Sequence, residues 1–468
     1  MMRVAVLHYH YRPGGVTRVI QNSLAALGNF KGLEIQAIQV PGTDYGEPAN
    51  LRKDPRALAT ELMAKAKHAL GSTPNLWHIH NPTLGKHPAF PQLIRDMAAQ
   101  GIPMLLHIHD FPEDGRPSNY RLMRDLPVGV PELYPVAPHI HYGTINLRDH
   151  DILLQAGIPS TNLHHLPNPV IFDNPVKTIS KSENYCPGKQ LHFYPVRATR
   201  RKNIGETLLW ATLARDGHHF ATSIGPTNLA QMKEYGRWQA LNSHLGLPLS
   251  LGLCEDPRYP FPEVARSAHT CLTTSLAEGF GLTFLEPILT GLPLWGRDLP
   301  EITGDFRQHG ISLQNLYNRV EIPLEWVGAP GLKGKIHSKL VKTYALYGQT
   351  IPDDAVEKAW ESFTRGSSSM DFGRLDQGTQ SQVIRKLHSE PQLHKDVSPP
   401  PPFMEIPPAN PAQADIVLEQ YSPANCAAKL HMIYQALSNA SPYPPTFLDP
   451  TKILAQFLNP ARFSFQLT

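Results

Sequence analysis

The stretch AEGFGLTFLEPILTGLP, residues 277–293, contains two acids, Glu278 and Glu286, eight positions apart. Two glycines stand close behind the first acid, and the apolar residues after them have helical spacing. The preceding segment HTCLTTSL, residues 269–276, has the length and β-branched content of a buried parallel strand. The sequence therefore predicts that the two acids lie on a strand–turn–helix.

This arrangement suits a bound anion. Glycines let backbone N–H groups approach a ligand closely, and the first turn of a helix presents unpaired N–H groups with a partial positive charge. Glu286, about two helical turns further on, can turn its carboxylate toward hydroxyls such as those of a ribose. The alternative for a single glutamate near a helix start is a favourable contact with the helix dipole.

The complete string EGFGLTFLEP, with GLP at 291–293 and DLPEI at 298–302, closely resembles the acidic signature of family 4 glycosyltransferases. The resemblance implies a retaining enzyme that uses a nucleotide sugar. It also implies the α/β fold called GT-B, in which two Rossmann-like, doubly wound domains face a cleft. Glu278 would then hold hydroxyls of the donor sugar and Glu286 the ribose. The residues implied to bind the donor are Gly14, Gly15, Gly279, Phe280, Gly281, Leu282 and Glu286.

Composition fits a globular protein of two domains. The 468 residues are 41% hydrophobic and 18% charged, and the net charge of +3 gives no reason to expect nucleic acid as a partner. No apolar run reaches the ~18–20 residues of a membrane span, and the N-terminus enters a strand pattern without a signal peptide, so a cytoplasmic location is expected. The four cysteines lack metal or disulfide spacing. The sequence contains no feature that indicates an oligomeric state.

Strand and helix patterns alternate along the chain, which predicts parallel sheets with helices on both faces. Polar and proline-rich stretches mark the linker and the insertion, whereas the resemblance implies which domain binds which substrate and that the chain returns to the first domain at its end. We expect an acceptor domain at 1–172, a linker at 173–189, a donor domain at 190–446 with a helical and proline-rich insertion at about 323–420, and a C-terminal segment at 447–468 that crosses back to the first domain.

Gly14 and Gly15 lie between the first predicted strand and the first predicted helix. Many nucleotide-binding domains bring backbone amides to a phosphate at this point. A plain tight turn explains the two glycines equally well. The resemblance favours phosphate, because a glycine-rich turn at this place faces the donor in that family.

Three predicted strands carry H-x-H at their ends: His78/His80, His107/His109 and His139/His141. With a two-residue period, both histidines of each pair point to the same face. Two interpretations fit this pattern. The histidines can be hydrogen-bonded to one another at a crowded strand end, or several pairs can together form a metal site. The resemblance implies a third role, in which His109 reaches the transferred sugar.

Four cations crowd the turn before a predicted helix at about 204: Arg197, Arg200, Arg201 and Lys202. Cations oppose the dipole at a helix N-terminus unless an anion compensates them. A solvated basic turn is the alternative. The spacing of Arg197 and Lys202 matches the basic pair with which the resembled family holds the donor diphosphate.

The implied catalytic set is His109, Glu278, Arg197 and Lys202, with the acceptor hydroxyl received near Asp110 and Arg116. Neither a cofactor nor a metal is expected, since the one D-x-D, residues 149–151, lies in a helix-forming stretch. Two rival functions stay open. One is a hydrolase or epimerase of the same fold, and the other is a noncatalytic protein that only binds nucleotide sugar or acts as a scaffold.

Overall fold

The computed structural model describes residues 1–12, 14–41, 54–126, 129–171, 185–400, 406–407 and 410–467. The chain divides into two compact units. Unit 1 consists of Met1–Ile171, Leu346–Gln349 and Leu418–Asn459, and unit 2 of Phe172–Ala345, Thr350–Val417 and Pro460–Thr468. Most of the predicted linker at 173–189 lies outside the described residues.

Unit 1 is built on a six-stranded parallel sheet. Its strands, and the short β5, are β1 (Met2–His8), β2 (Leu33–Gln39), β3 (Leu76–His80), β4 (Met104–Ile108), β5 (Pro135–Val136), β6 (Ile140–Thr144) and β7 (Leu163–His165). Its first helices are α1 (Gly15–Leu27), α2 (Pro55–Leu70), α3 (Phe90–Ala99), α4 (Pro117–Arg124) and α5 (Leu147–Ala156). The strand order is β2-β1-β3-β4-β6-β7, and every residue of β3, β4 and β6 is buried. Helices therefore cover both faces, as in a doubly wound sheet.

Unit 2 repeats the design with a second six-stranded parallel sheet. Its strands are β8 (Gln190–Arg197), β9 (His218–Ile224), β10 (Leu249–Ser250), β11 (Thr270–Thr273), β12 (Leu294–Arg297) and β13 (Leu316–Tyr317). Its helices are α6 (Ile204–Leu213), α7 (Leu229–Leu245), α8 (Phe261–Ser267), α9 (Leu282–Thr290) and α10 (Pro300–Gln308). The order is β10-β9-β8-β11-β12-β13, so the chain direction across the sheet reverses between β8 and β11. Open α/β sheets bind ligands beyond the carboxyl ends of the strands at such a reversal.

The segment predicted as an insertion belongs mainly to unit 2. It contains β14 (Glu321–Pro323), α11 (Ala329–Leu346), α12 (Ala355–Thr364), β15 (Ser369–Asp371), α13 (Gln377–Ser389) and α14 (Ala412–Gln420). β14 and β15 pair in antiparallel fashion, and α13 packs against α6. The insertion is thus a folded part of this unit.

The late chain departs from the expected boundaries. It forms α15 (Pro423–Ser438), β16 (Thr446–Phe447) and α16 (Pro450–Phe457), and it rejoins unit 1 from Leu418, well before the expected 447, whereas residues 460–468 belong to unit 2. The physical reason is an apolar face: Leu430 and Tyr434 share one buried cluster with Val4 and Val6. None of the helices in the described part of the chain has the length and hydrophobicity that crossing a bilayer requires.

Candidate functional site

The predicted basic turn and acidic motif meet at one edge of the second sheet. The turn follows β8, the motif follows β11, and these two strands are hydrogen-bonded neighbours. Because neighbouring parallel strands end at the same edge, both loops lie at the reversal point of the sheet. The structure therefore brings together two of the site features that the sequence places far apart.

An ion pair joins the two loops. The Nζ atom of Lys202 contacts the Oε1 atom of Glu278, and their side chains are only 12% and 9% exposed. The hydroxyl of Ser275 donates to the same carboxylate oxygen over 2.6 Å, and Tyr194 hydrogen-bonds Ser275 at 2.7 Å. Burial lowers the pKa of Lys202, and the carboxylate of Glu278 opposes that effect. The pair is thus oriented from several sides.

Hydrogen bonds to backbone carbonyls hold the same two loops together. The hydroxyl of Thr274 donates to the carbonyl of Lys202 over 2.9 Å. The N–H of Leu276 donates to the carbonyl of Arg201 over 2.8 Å. The positions of the acid and the base are consequently coupled through the main chain as well as through their charges.

The other three cations of the turn differ in their surroundings. Arg197, at the end of β8, is exposed, and so is Arg201. Arg200 pairs with Glu234 over 3.2 Å. The expectation of a simple solvated basic turn therefore fits only part of the cluster, because Lys202 and Arg200 have acidic partners.

The glycine-rich turn has a steric reason for one of its glycines. Gly281 has φ +93°, and a Cβ there would lie 2.8 Å from Ile302 and 2.9 Å from Phe284. Gly281 precedes α9, which begins at Leu282 without a side-chain cap. Phe280 is buried in the core, so only its main chain is placed to serve a ligand. The turn thus presents the uncapped start of a helix.

Two further residues of the motif lie on either side of this turn. Gly279 directly follows Glu278 in the loop, and Glu286 is exposed on α9, the helix on which the sequence places it. An exposed carboxylate on this helix is accessible to a hydroxylated ligand.

Gly14 and Gly15 lie at the carboxyl end of β1 in unit 1, where α1 begins at Gly15. The backbone of Gly14 is extended, with φ 175°, and a Cβ at Gly15 would meet no atom within 4 Å. Neither the backbone conformation nor packing against the described residues therefore requires glycine here. Among the described residues, nothing occupies the space that a side chain at Gly15 would fill.

His109 lies directly after β4 and is 5% exposed. Its Nε2 atom hydrogen-bonds Nδ1 of His80 at 2.8 Å, and its backbone N–H donates to Asn81 over 2.8 Å. Burial lowers the pKa of His109 to about 3, with nearby His8 acting in the same direction. The imidazole is therefore neutral at physiological pH, and Nδ1 is the ring nitrogen left for a ligand.

Three histidines at the ends of β3 and β4 have spacing that suits a metal ion. In the described part of the chain, one ring nitrogen from each of His78, His80 and His107 lies within 4.8 Å of the other two. His78 also bonds the hydroxyl of Tyr434 at 2.7 Å and His107 at 3.1 Å. These hydrogen bonds match the plain interpretation of a crowded strand end.

The third H-x-H pair corrects a prediction. His139 precedes β6 and His141 is its second residue, so this pair lies at the beginning of the strand and not at its carboxyl end. His141 contacts His164 at 2.9 Å, and His139 contacts the carbonyl of Ala98 at 3.0 Å. A two-residue period identifies a shared face, but it does not show where the strand ends.

The loop after β4 contains paired and buried charges. Asp110 and Arg116, the predicted acceptor residues, form an ion pair with a distance of 2.5 Å. Glu113 between them is 1% exposed and accepts from the hydroxyl of Tyr134 over 3.0 Å. Burial raises the pKa of Glu113 to about 7, although the Tyr134 hydrogen bond opposes the shift. This loop therefore contains a carboxyl group that titrates near neutrality.

The D-x-D sequence begins a helix, as its composition predicts. Asp149 is in the first turn of α5, its backbone N–H is capped by Asn146, and its carboxylate pairs with Arg148. This acid is thus engaged within its own helix.

Sequence reasoning missed Ser275, Thr274 and Tyr194, which orient the ion pair and the turn. One signal was present: a run of hydroxyl side chains at 273–275 lies at the carboxyl end of β11, where α/β sheets keep their ligand-binding groups.

Comparison with known proteins gives the fold. No family model matches the chain. Mannosylglucosyl-3-phosphoglycerate synthase of Petrotoga mobilis is 30% identical over 322 residues, which are 61% of this chain and 63% of that relative. Sucrose-phosphate synthase of Thermosynechococcus elongatus superposes with a TM-score of 0.52 at 13% identity, covering 94% of this chain and all of that one. HepE of Anabaena, solved with UDP and glucose, superposes with a TM-score of 0.50 at 11% identity, covering 93% of this chain and all of that one.

The fold is GT-B. Two parallel six-stranded sheets with flanking helices match those structures, so the predicted fold class is confirmed. The solved structures share too little sequence to establish more than architecture. The match to the Petrotoga relative spans less than two thirds of its length.

Proposed function

We propose that this chain is a retaining glycosyltransferase that moves a sugar from a nucleotide sugar to a hydroxyl acceptor. The observation that supports the proposal best is the buried Lys202–Glu278 ion pair at the reversal point of the second sheet. Arg197, which is exposed, is the last residue of β8, the strand that leads into the turn with Lys202. A cation and an acid at this place suit a diphosphate and the hydroxyls of a sugar.

Each group has a defined task in this proposal. Lys202 and Arg197 stabilise the charge that develops on the departing diphosphate. Glu278 accepts hydrogen bonds from donor-sugar hydroxyls, and Glu286 does the same for the ribose. Gly15 and the uncapped start of α1 offer N–H groups to the phosphates.

Neutral His109 provides a hydrogen bond without adding positive charge. Burial holds its pKa at about 3, so the ring does not become an imidazolium at the operating pH. Because the Nε2 atom of His109 is hydrogen-bonded to His80, its Nδ1 atom is the one that meets a sugar hydroxyl. We assign His109 the role of positioning the transferred sugar.

Retention is proposed without a covalent intermediate on the protein. A double displacement needs a carboxylate free to attack the anomeric carbon. Glu278 is held by Lys202 and Ser275, an arrangement that favours a binding role over nucleophilic attack. The leaving phosphate then takes the proton of the acceptor hydroxyl. In this scheme the cations replace a metal ion, and no cofactor is required.

The acceptor is proposed to be an acidic glycoside. The name of the Petrotoga relative describes the synthesis of a mannosylglucosyl-3-phosphoglycerate, which has both sugar hydroxyls and acidic groups. We place the acceptor near Asp110 and Arg116, where a second anion would compete for the guanidinium of Arg116. Because nucleotide sugars are cytoplasmic metabolites, the proposal includes a cytoplasmic location.

The first experiment is a thermal-shift screen of UDP-, GDP- and ADP-sugars against wild type and Glu286→Ala. One donor should raise the melting temperature of wild type, and the variant should lose that shift because its ribose contact is gone. If no nucleotide shifts wild type, the binding premise fails and a scaffold role becomes the better explanation.

The second experiment separates transfer from hydrolysis. Nucleotide release is followed with the donor alone and with sugar, glycerate and phosphorylated glycoside acceptors, each with and without a chelator. We expect release only with an acceptor, an unchanged anomeric configuration in the product, and no effect of the chelator. Release without any acceptor would favour the hydrolase alternative, and loss of activity with chelator would contradict the metal-free scheme.

A further inference from the structure

Gln380, on helix α13 of the insertion, contacts the end of the basic turn. It is fully buried, and its Nε2 atom donates to the side-chain oxygen of Asn203 over 3.0 Å and to the carbonyl of Phe372 over 3.0 Å. Asn203 directly follows Lys202 and has left-handed backbone angles, φ 51° and ψ 54°. The insertion therefore holds the residue that ends the turn.

A buried charge network fixes the same asparagine from its other side. The Nδ2 atom of Asn203 donates to the carboxylate of Glu206 over 2.8 Å. The same carboxylate accepts a hydrogen bond from the guanidinium of Arg297 over 2.5 Å. Arg297 in turn forms two hydrogen bonds with Asp371 of the insertion, of 2.9 and 3.0 Å. All three charged side chains are at most 3% exposed. Removing one partner from a buried ion pair of this kind is strongly destabilising, so the network holds Asn203 in a fixed surrounding.

Two glycines allow the close approach of the insertion. A Cβ at Gly205 would lie 2.2 Å from the side-chain oxygen of Gln380, and a Cβ at Gly373 would lie 2.3 Å from Arg297. Neither residue has the positive φ that would itself favour glycine. Glycine at these two positions is therefore explained by the contact between the insertion and α6.

We infer that Gln380 and Asn203 are positioning residues for Lys202, and that the insertion thereby sets the geometry of the diphosphate site. The main-chain oxygen of Lys202 is bonded by Thr274 on one side, while Asn203 is clamped by Gln380 and Glu206 on the other. Loosening Asn203 would let the turn relax and carry Lys202 away from Glu278. The inference rests on the proposed function, because it assumes that Lys202 binds the diphosphate.

The test compares two ligands by calorimetry: the nucleoside diphosphate of the preferred donor and the corresponding nucleoside. Gln380→Met keeps the shape of the side chain but removes the hydrogen bonds that Gln380 donates to Asn203 and Phe372, together with the longer one, 3.4 Å, that it accepts from Gln466. We expect about a tenfold loss of diphosphate affinity, which corresponds to one or two lost polar contacts, and an unchanged nucleoside affinity. Asn203→Gly, which keeps the left-handed backbone without the clamp, should show the same selective loss.

Gln377→Ala is the matched control. Gln377 is on the same helix, and it donates a hydrogen bond to the carbonyl of Glu234 on α7 over 2.8 Å. The hydrogen-bond partners of its side chain are Glu234 and Arg237, and not Asn203. It should leave both affinities unchanged. Positioning is supported if each of the two variants that folds, Gln380→Met and Asn203→Gly, shows a selective loss of diphosphate affinity. Equal losses for both ligands, or no loss in a folded variant, would overturn it. If wild type itself binds no nucleoside diphosphate, the proposed function has failed before the positioning is addressed.

Discussion

Lys202 and Glu278 form a buried ion pair although 76 positions separate them in the chain. The pairing arises because β8 and β11 are neighbours in a sheet whose order reverses between them. Each residue follows its own strand, and the topology brings the two strand ends together. In the proposed reaction the pair has two consequences: the amine of Lys202 is positioned beside the diphosphate, and the carboxylate of Glu278 is oriented toward the sugar hydroxyls.

Replacing Lys202 by methionine should lower kcat/KM for the donor by about 10²–10³-fold, the usual cost of losing one preorganised group that stabilises transition-state charge. Arg201→Ala is the control, since Arg201 is an exposed cation of the same turn without a role in the scheme. The measurement is steady-state kinetics with the donor found in the thermal-shift screen. A loss of the same size in both variants would mean that only the net charge of the turn matters.

The same ion pair makes a prediction about stability. Lys202→Met leaves the carboxylate of Glu278, 9% exposed, without its partner, which should lower the free energy of unfolding by about 3 kcal/mol. Adding Glu278→Gln removes the unpaired charge and should restore most of that loss without restoring activity. Urea unfolding of the single and double variants measures both effects. A double variant that is less stable than Lys202→Met would show that the carboxylate is stabilised by other groups.

Glu113 should make stability depend on pH. Its pKa is raised from 4.5 to about 7 by burial, so between these values the folded chain binds more protons than the unfolded chain. Stability is therefore highest below pH 4.5 and declines until about pH 7, by about 3 kcal/mol for this group. Glu113→Gln keeps a partner for Tyr134 and should flatten this part of the profile, as urea unfolding between pH 4.5 and 8 would show.

An unaltered slope in Glu113→Gln would assign the pH dependence to other groups. Tyr134→Phe is a useful companion variant, because it removes the hydroxyl that donates to Glu113. The pKa of Glu113 should then rise further, since that hydrogen bond favours the charged form.

Much of the architecture was predictable from the sequence because parallel strands buried on both faces read as short apolar runs. β3, β4 and β6 have no exposed residue, and each was identified from its pattern. β13 was not, since its two residues are too few to show any period. The assignment of α15 to unit 1 was also missed, because an apolar helix face does not identify its partner, and only the structure shows Tyr434 in one cluster with Val4 and Val6.

The site was predictable where residues are close in the chain and unpredictable where the fold joins distant ones. The acidic motif and the basic turn were each visible as local strings. The contact between Lys202 and Glu278 and the path from Asn203 to Gln380 depend on strand order and on helix packing, and the latter spans 177 positions. Sequence periodicity contains no information about such pairings.

Gly15→Ala should separate ligand binding from stability at the start of α1. A Cβ at Gly15 would meet no atom within 4 Å, so the free energy of unfolding should stay the same or rise by less than about 1 kcal/mol. Donor affinity should fall about tenfold if a phosphate approaches this backbone closely, since the methyl group would occupy the space of the ligand. Gly236→Ala, on α7 with equally open surroundings, is the matched control for a glycine outside the site. Calorimetric titration with the donor decides between the two glycines: unchanged affinity in Gly15→Ala would remove the first helix from the donor site, whereas a loss confined to that variant would place the phosphates there.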